Sequence, residues 1–187
     1  MRSPTDFIVT PLHNKRYSNT KDIGGVDFII NSSQEDHKFS NREAVVVETP
    51  LNYKGDIKKG DVLLVHHNVF KYYNDIKGRQ KSGRSFFKDN IFLIDTEQFF
   101  LYKNTEGWQT YDRYCFIKPI PVEKNLSIDK FCKYEPLVGV MKYPNTYLKT
   151  QGVIEGDKVS FSPYPYEFEI DGETLYRLHD HQITLIL

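Results

Sequence analysis

Short runs of apolar, aromatic and β-branched residues recur along the chain, and Gly, Pro, Asn or Asp residues separate them. Such runs bounded by turn residues are typical of β-sandwiches and β-barrels. No long window carries the i, i+3, i+4, i+7 apolar stripe of an amphipathic helix. We therefore predict an all-β fold. The predicted strands are Phe7–Thr10, Ala44–Glu48, Val62–His66, Ile91–Ile94, Gln98–Tyr102, Tyr114–Lys118, Leu137–Lys142, Lys158–Phe161, Glu167–Ile170, Thr174–Leu178 and Gln182–Leu187.

Turn residues join several of these predicted strands. Asp171-Gly172 separates two of them, and Gly accepts the positive φ that a two-residue hairpin turn requires. We predict a hairpin there, and a tight hairpin or a corner at Asp95-Thr96-Glu97. The one helical turn that the sequence suggests is Asn125–Phe131.

Three landmarks recur in the same order in the two halves of the chain. Gly60-Asp61 and Gly156-Asp157 each open an apolar strand. The segments around Val45–Pro50 and Val138–Pro144 also match loosely, as do the Phe- and Pro-containing strands that begin each half. Self-similarity of this kind indicates a tandem repeat. We predict two barrel-like units, residues 1–104 and residues 105–187.

The two predicted units differ in two places. The first has a long polar segment, about residues 13–43, and the matching stretch of the second is about half as long. Loops of that length are usually functional or disordered, so we predict a long mobile loop in the first unit. The first unit alone also carries a basic insertion containing Gly and Ser, Ile76–Ser85. We therefore expect the two units to do different work.

Charge and apolar content restrict the possible partners. Lys and Arg number 25, as do Asp and Glu, so the formal net charge is zero. Nucleic-acid binders usually carry a basic field or stripe, and the nearest feature is the insertion, which we interpret as a flexible, solvated loop. We therefore do not expect nucleic acid as a partner. The chain shows neither a membrane-spanning apolar run nor a signal peptide, so we expect a soluble, cytoplasmic protein.

Residues with catalytic or metal-binding chemistry do not converge in the sequence. His66 and His67 are adjacent on a predicted strand, which would direct them to opposite faces. His179-Asp180-His181 could place two imidazoles on one face, but zinc needs further ligands, so we interpret it as a solvated turn. Cys115 and Cys132 are expected to be reduced, with one disulfide as the alternative. We predict no cofactor, no metal site and no enzymatic activity.

An apolar stretch interrupts the long polar segment. Gly24-Gly25 is followed by Val26-Asp27-Phe28-Ile29-Ile30. Apolar residues in a polar, mobile loop suggest a linear anchor for a groove on a partner. The alternative is an ordinary strand of the barrel, Val26–Ile30, that packs on the core.

The last 35 positions resemble the C-terminal half of the ten-kilodalton co-chaperonins of the GroES type. The resemblance rests on Val153-Ile154-Glu155-Gly156-Asp157-Lys158-Val159, on the Asp171-Gly172 turn and on the final strand that follows Asp180. The first half follows the same pattern more loosely, with an opening strand that ends in Pro11-Leu12-His13 and with Gly24-Gly25 where the family has the glycine pair of its mobile loop.

This resemblance implies two GroES-like irregular antiparallel β-barrel units in tandem. Family members assemble into ring-shaped lids that cap a group I (GroEL-like) chaperonin, and the apolar segment after the glycine pair docks into the chaperonin. Carried over, Gly24 and Gly25 match the glycine pair. Val26, or more loosely Phe28, Ile29 and Ile30, matches the apolar anchor.

Two departures from the family pattern leave alternatives open. Asp27 interrupts the apolar segment, and the second unit lacks a Gly-Gly loop. A divergent lid encoded by a phage or another virus, with one active and one structural unit, would fit these departures. The alternative is a structural or assembly protein of a virion that reuses the barrel. A fragment of a medium-chain dehydrogenase, which contains a related barrel, is a third class, but its nucleotide-binding domain and metal ligands are lacking.

Overall fold

The computed structural model of the chain describes residues 1–17, 20–29, 39–122 and 133–187. Strands dominate this part of the chain, and one short α-helix accompanies them, so the predicted all-β class is confirmed. The chain divides into two compact units, Met1–Gly107 and Trp108–Leu187. The sequence had placed the boundary after Asn104.

The first unit contains one large antiparallel sheet and two separate hairpins. Its strands are β1 (Phe7–Pro11), β2 (Thr20–Ile23), β3 (Val26–Ile29), β4 (Glu43–Glu48), β5 (Val62–Val65), β6 (Tyr72–Asn74), β7 (Gln80–Ser82), β8 (Phe86–Lys88), β9 (Ile91–Ile94) and β10 (Phe99–Asn104), with a 3₁₀ segment at Leu12–Asn14. Six of them are hydrogen-bonded in the order β10-β5-β4-β1-β9-β8. The other four form two-stranded sheets, β2 with β3 and β6 with β7.

Aromatic side chains fill the core of the first unit. The rings of Phe7 and Phe99 meet edge to face with centroids 5.3 Å apart, and those of Phe70 and Phe92 with centroids 4.8 Å apart. All four side chains are fully buried. Such pairs stabilise a core by about 0.5–1.5 kcal/mol beyond their buried area. Phenylalanine rings therefore make up a large part of the fully buried side chains of this unit.

The second unit is a sheet with one short helix. Strand β11 (Gly107–Thr110) lies where the chain leaves the first unit. It is followed by β12 (Tyr114–Pro121), β13 (Tyr134–Tyr143), α1 (Thr146–Thr150), β14 (Lys158–Phe161), β15 (Tyr166–Ile170), β16 (Glu173–His179), a 3₁₀ turn at Asp180–Gln182, and β17 (Ile183–Ile186). Six strands are hydrogen-bonded in the order β17-β14-β13-β12-β16-β15. The buried core includes Ile117, Met141, Leu148 and Phe161.

The two units share one strand order. Replacing β12, β13, β14, β15, β16 and β17 by β1, β4, β5, β8, β9 and β10 converts the second order into the first. All pairings in both orders are antiparallel. The structure thus repeats one architecture, as the three sequence landmarks predict. Among the described residues neither order closes on itself, so each unit is an open sheet and not a closed barrel.

The Gly-Asp landmark forms the same turn in both units. Gly60 and Gly156 have φ angles of +95° and +97°, a region that residues with a side chain rarely adopt. Each glycine N–H donates to a carbonyl of the neighbouring strand at 2.8 Å. The carboxylates of Asp61 and Asp157 accept from the backbone N–H three residues earlier, at 2.7 and 2.9 Å. The landmark is therefore a turn that fixes where β5 and β14 begin.

The predicted strands all overlap observed ones, and the two predicted turns are resolved. Asp171-Gly172 joins β15 to β16 as a two-residue hairpin turn with φ of +48° and +79°. Asp95-Thr96-Glu97 is a corner, because β9 pairs with β1 and β8 whereas β10 pairs with β5. The sequence missed β2, β6, β7, β8, β11 and α1. The helical turn expected at Asn125–Phe131 lies outside the described residues.

The basic insertion is more ordered than its composition predicts. The prediction of a flexible loop over Ile76–Ser85 was wrong, because β7 pairs with β6 in a regular antiparallel register. The carboxylate of Asp75 accepts hydrogen bonds from the backbone N–H groups of Lys77 and Arg79, both at 2.9 Å. One aspartate thus organises the turn of this hairpin.

Candidate functional site

The candidate site is the hairpin that the first unit carries between β1 and β4. We call residues 20–29 the arm. Strands β2 and β3 pair along their full lengths, which leaves Gly24 and Gly25 as a two-residue turn. Their φ angles are +67° and +85°, and a type I′ turn requires positive φ at both positions. A Cβ added to either glycine would meet no atom within 4 Å, so the backbone conformation alone explains the glycine pair.

Two apolar side chains of the arm are exposed. Val26 is 57% exposed and Phe28 is 52% exposed. Residues two apart on a strand share a face, so these side chains form one small apolar surface. Contiguous exposed apolar patches mark interaction sites more often than single exposed residues do, so this pair is a candidate docking surface.

The arm bears on the alternatives that the sequence left open for Val26–Ile30. Val26–Ile29 is a strand, but its partner among the described residues is β2 and it does not belong to the six-stranded sheet. Ile30 lies outside the described residues. The assignment of partner binding to Gly24, Gly25, Val26, Phe28, Ile29 and Ile30 stays a prediction.

The arm has a root formed by residues 15–17 and 40–41, which the sequence did not reveal. Tyr17 forms a β-bridge with Ser40. The N–H of Asn41 donates to the carbonyl of Arg16 at 2.9 Å, and the Asn41 side chain donates to the carbonyl of Lys15 at 2.8 Å. The two ends of the connection between β1 and β4 are therefore hydrogen-bonded to each other. These partners are far apart in sequence and carry no local motif, so pattern reasoning had no signal for them.

The second unit has a much shorter connection at the same point of its fold. Between β12 and β13 lie 12 residues, whereas 31 residues lie between β1 and β4. Residues 123–132 of this connection lie outside the described residues. The difference in length follows the sequence prediction that the loop is shortened in the second unit.

The two histidine pairs differ from their predicted settings. His66 and His67 follow the end of β5, and their ring centroids lie 4.1 Å apart. The expectation of opposite faces was wrong because the strand ends before them. His179 and His181 stack with centroids 5.4 Å apart. In the described ranges, no group of three His, Cys, Asp or Glu residues could hold a metal ion.

Asp180 is buried, which corrects the prediction of a solvated turn at His179-Asp180-His181. Its carboxylate accepts from Arg113 Nη2 at 2.8 Å, from Asn145 Nδ2 at 3.2 Å and from the N–H of His181 at 2.7 Å. Burial alone would raise the pKa of Asp180, but these hydrogen bonds outweigh burial and hold the pKa below its usual range. The carboxylate therefore stabilises the turn by these hydrogen bonds, and because it stays ionised it is unsuited to act as a general acid.

Cys115 does not have the properties of a nucleophile. It is a free and fully buried thiol in the core of the second unit. Burial, together with the charge of Asp180, raises the pKa of Cys115 to about 12. Because the thiolate is the reactive form, this thiol is inert near neutral pH. Cys132 lies outside the described residues.

Comparisons with known proteins give no family for this chain. Its sequence matches no model of a protein family, and no curated protein is significantly similar to it. Over the described ranges, no helix has the length and hydropathy needed to cross a membrane. The interpretation of the site therefore depends on the arm itself: a paired hairpin, outside the main sheet, with an exposed apolar face.

Proposed function

We propose that this protein is a co-chaperonin-like ring subunit that caps a group I chaperonin and assists protein folding. The arm is the docking element, and the surface formed by Val26 and Phe28 enters an apolar groove of the chaperonin. The protein acts by binding and not by catalysis, in the cytoplasm of a cell or, if a phage encodes it, of the host. The single observation that carries the proposal is the exposed apolar pair on a hairpin that belongs to neither main sheet.

The geometry of the arm supports a docking role. A glycine turn fixes the register of the two strands, and this register determines which residues share the face of Phe28. Burying one valine and one phenylalanine side chain is worth roughly 1.5–3 kcal/mol each. A preformed hairpin loses less conformational entropy on binding than a disordered peptide does. More of the free energy gained by burying this small apolar surface therefore remains for binding.

The small size of this surface also explains why the proposal includes a ring. Association costs about 4–15 kcal/mol in translational and rotational freedom, so one arm that buries two side chains binds weakly. Several arms on one ring raise the effective concentration and can increase avidity by about 10²–10⁴-fold. Self-association is therefore required by the proposed function.

The shared strand order of the two units supports the same assignment. Both follow one antiparallel plan, which is what a tandem pair of lid units requires, yet the arm belongs to the first unit. The first unit is then the docking unit, and the second is a structural copy.

The test is co-sedimentation with a purified group I chaperonin in the presence of ADP. Wild type is compared with Val26→Ser/Phe28→Ser and with a matched control, Leu51→Ser/Phe87→Ser. Leu51 and Phe87 are exposed to a similar degree in the same unit but lie outside the arm. We expect wild type and control to co-sediment with the chaperonin, and the arm variant to remain in the supernatant.

Two results would contradict the proposal. One is a wild-type oligomer that does not bind the chaperonin, including the chaperonin of its own host. The other is an arm variant that binds as well as wild type. If the arm variant instead prevents self-assembly and the chaperonin is irrelevant, the structural or virion-assembly alternative replaces the lid.

A further inference from the structure

A side-chain cluster connects the root of the arm to the hairpin formed by β6 and β7. The guanidinium of Arg16 lies 3.6 Å from the ring centroid of Tyr72. Its Nε donates to the carbonyl of Phe70 at 2.8 Å and its Nη1 to the hydroxyl of Ser82 at 3.0 Å. Both strands of the β6–β7 hairpin therefore hold one residue of the root, because Tyr72 lies on β6 and Ser82 on β7.

Tyr17 adds a second connection beside the first. Its ring stacks on Tyr72 with centroids 5.9 Å apart and planes inclined by 8°. Its hydroxyl accepts a hydrogen bond from the N–H of Tyr72 at 2.7 Å. Tyr17 is buried, and Arg16 is half-buried. A cation–π contact between partly desolvated groups stabilises more than an exposed one does, so we expect this cluster to be stable. We call Arg16, Tyr17, Tyr72 and Ser82 the clamp.

The other side of the root is fixed to the same region. The hydroxyl of Ser40 donates to the carbonyl of His67 at 2.8 Å. Ser40 is also the bridge partner of Tyr17. The outgoing and returning chains are therefore both held by the segment that leads into β6, and the chain between them carries the arm.

The arm and the β6–β7 hairpin occur together in the first unit. The arm lies between β1 and β4, and the hairpin lies between β5 and β8. At the matching point of the second unit, residues 162–165 alone join β14 to β15. The hairpin thus occurs in the unit that has an arm, and it contacts the root of that arm directly.

We infer that the β6–β7 hairpin is a brace that positions the arm, with Arg16 and Tyr72 as its positioning residues. The inference rests on the proposed docking function and adds to it. An isolated two-stranded hairpin is marginally stable in water, and a fixed root restricts the directions that it can take. The brace thereby lowers the conformational entropy that is lost when the arm docks.

The first measurement is hydrogen exchange of the peptides that cover Thr20–Ile29, in the full chain. We compare wild type with Arg16→Ala and Tyr72→Leu, and with the control Tyr73→Leu. Tyr73 is the next residue of β6, is 48% exposed, and lies on the opposite face of the strand. We expect the two clamp variants to exchange about fivefold faster in the arm, and the control to behave as wild type.

Thermal unfolding of each variant checks that the fold is kept. If Arg16→Ala unfolds, Ser82→Ala replaces it, since this change removes one acceptor of the clamp and leaves the arginine in place. Unchanged exchange of the arm in folded Tyr72→Leu and Ser82→Ala would overturn the brace.

The second measurement is the Kd for a group I chaperonin with ADP. The clamp variants should bind about tenfold more weakly than wild type. A tenfold change in Kd corresponds to the free energy that is lost when one or two side chains are ordered on binding. Clamp variants that exchange faster but bind as tightly as wild type would overturn the positioning role. A wild type that does not bind, with a clear change in exchange, would refute the docking function and leave the brace standing.

Discussion

Strands β10 and β17 occupy the same place in their sheets but have opposite environments. Leu101 of β10 pairs with Leu64, and Leu185 of β17 pairs with Ser160 at the matching position. Leu101 is fully buried, whereas Leu185 is 61% exposed. The two units thus show that strand order and turn geometry can be repeated while the use of each face changes. The side chain is buried in one copy and exposed to solvent in the other.

The largest expected effect tests this contrast with one substitution made twice. Leu101→Ala removes a fully buried side chain and should lower the free energy of unfolding of the first unit by about 2–5 kcal/mol. Leu185→Ala should change the stability of the second unit by less than about 0.5 kcal/mol, because exposed positions rarely contribute more. Hydrogen exchange of β5 and β14 measures the two values. Equal losses of stability would contradict the difference in burial between Leu101 and Leu185.

A second prediction concerns a contact that the second unit has added. Gln98 and Gln182 cap matching corners, where their side-chain oxygens accept the N–H groups of Asp95 and His179 at 3.2 and 2.9 Å. The corner at Gln182 also contains Asp180, which is hydrogen-bonded to Arg113 and Asn145. Asp180→Asn should destabilise the second unit by about 1.5–3 kcal/mol at pH 7, since hydrogen bonds to charged groups have that value.

The pH dependence of the same contact has a defined sign. The pKa of Asp180 is depressed in the folded protein, so the stabilisation is fully present above the ordinary pKa of an aspartate, about 4. It is lost as the pH falls from there through the lower folded pKa, because between these two values the unfolded chain binds a proton that the folded protein does not. Denaturant unfolding at pH 7 and pH 3 should show a smaller difference for Asp180→Asn than for wild type. An equal difference would show that other groups control the acid sensitivity.

A third prediction tests what the units have kept. Gly60 and Gly156 have nearly equal φ angles, and no atom lies within 4 Å of an added Cβ at either position. Alanine at either position should therefore cost about 1–2 kcal/mol from backbone strain alone. The free energies of unfolding lost in the two variants, measured by denaturant unfolding, should agree within about 0.5 kcal/mol, the usual scatter between independent sites. A large loss at one glycine alone would show that the turns are not equivalent.

The smallest expected effect is at the arm. Val26→Ser/Phe28→Ser should leave the free energy of unfolding of the first unit within about 0.5 kcal/mol of wild type, since both side chains are exposed. Calorimetry of the variant used in the chaperonin experiment provides this value. A loss of several kcal/mol would mean that the arm packs on the core, and a loss of binding could then not be assigned to docking.

Most strands of the main sheets could be predicted from the sequence because they are short apolar runs between turn residues. Strand β8 has three residues, too few for such a run to be recognised. The polar strands β6 and β7 escaped prediction, since Gln80, Lys81 and Ser82 resemble a solvated loop and their order comes from cross-strand pairing and from Asp75. Helix α1 has five residues, too few for a periodic pattern. Its one local signal is Asn145, whose side chain accepts the N–H of Leu148 at 2.9 Å as an N-cap.

The arm was partly visible in the sequence, whereas its root was not. The pair Gly24-Gly25 marks a two-residue turn, and the apolar residues after it were conspicuous in a polar segment. Arg16 gave no such signal, because its partners Phe70, Tyr72 and Ser82 are distant in the sequence and the contact exists only after the sheet has folded. Long-range polar contacts of this kind are invisible to local patterns.

The paired arm also carries a liability for the molecule when no partner is bound. Among the described residues, β2 and β3 pair with each other and with no further strand, so each has one strand edge outside the ladder. An open strand edge beside exposed apolar side chains is a template for pairing with further chains. The feature proposed to dock on a partner is therefore also the place where aggregation of the free protein would begin.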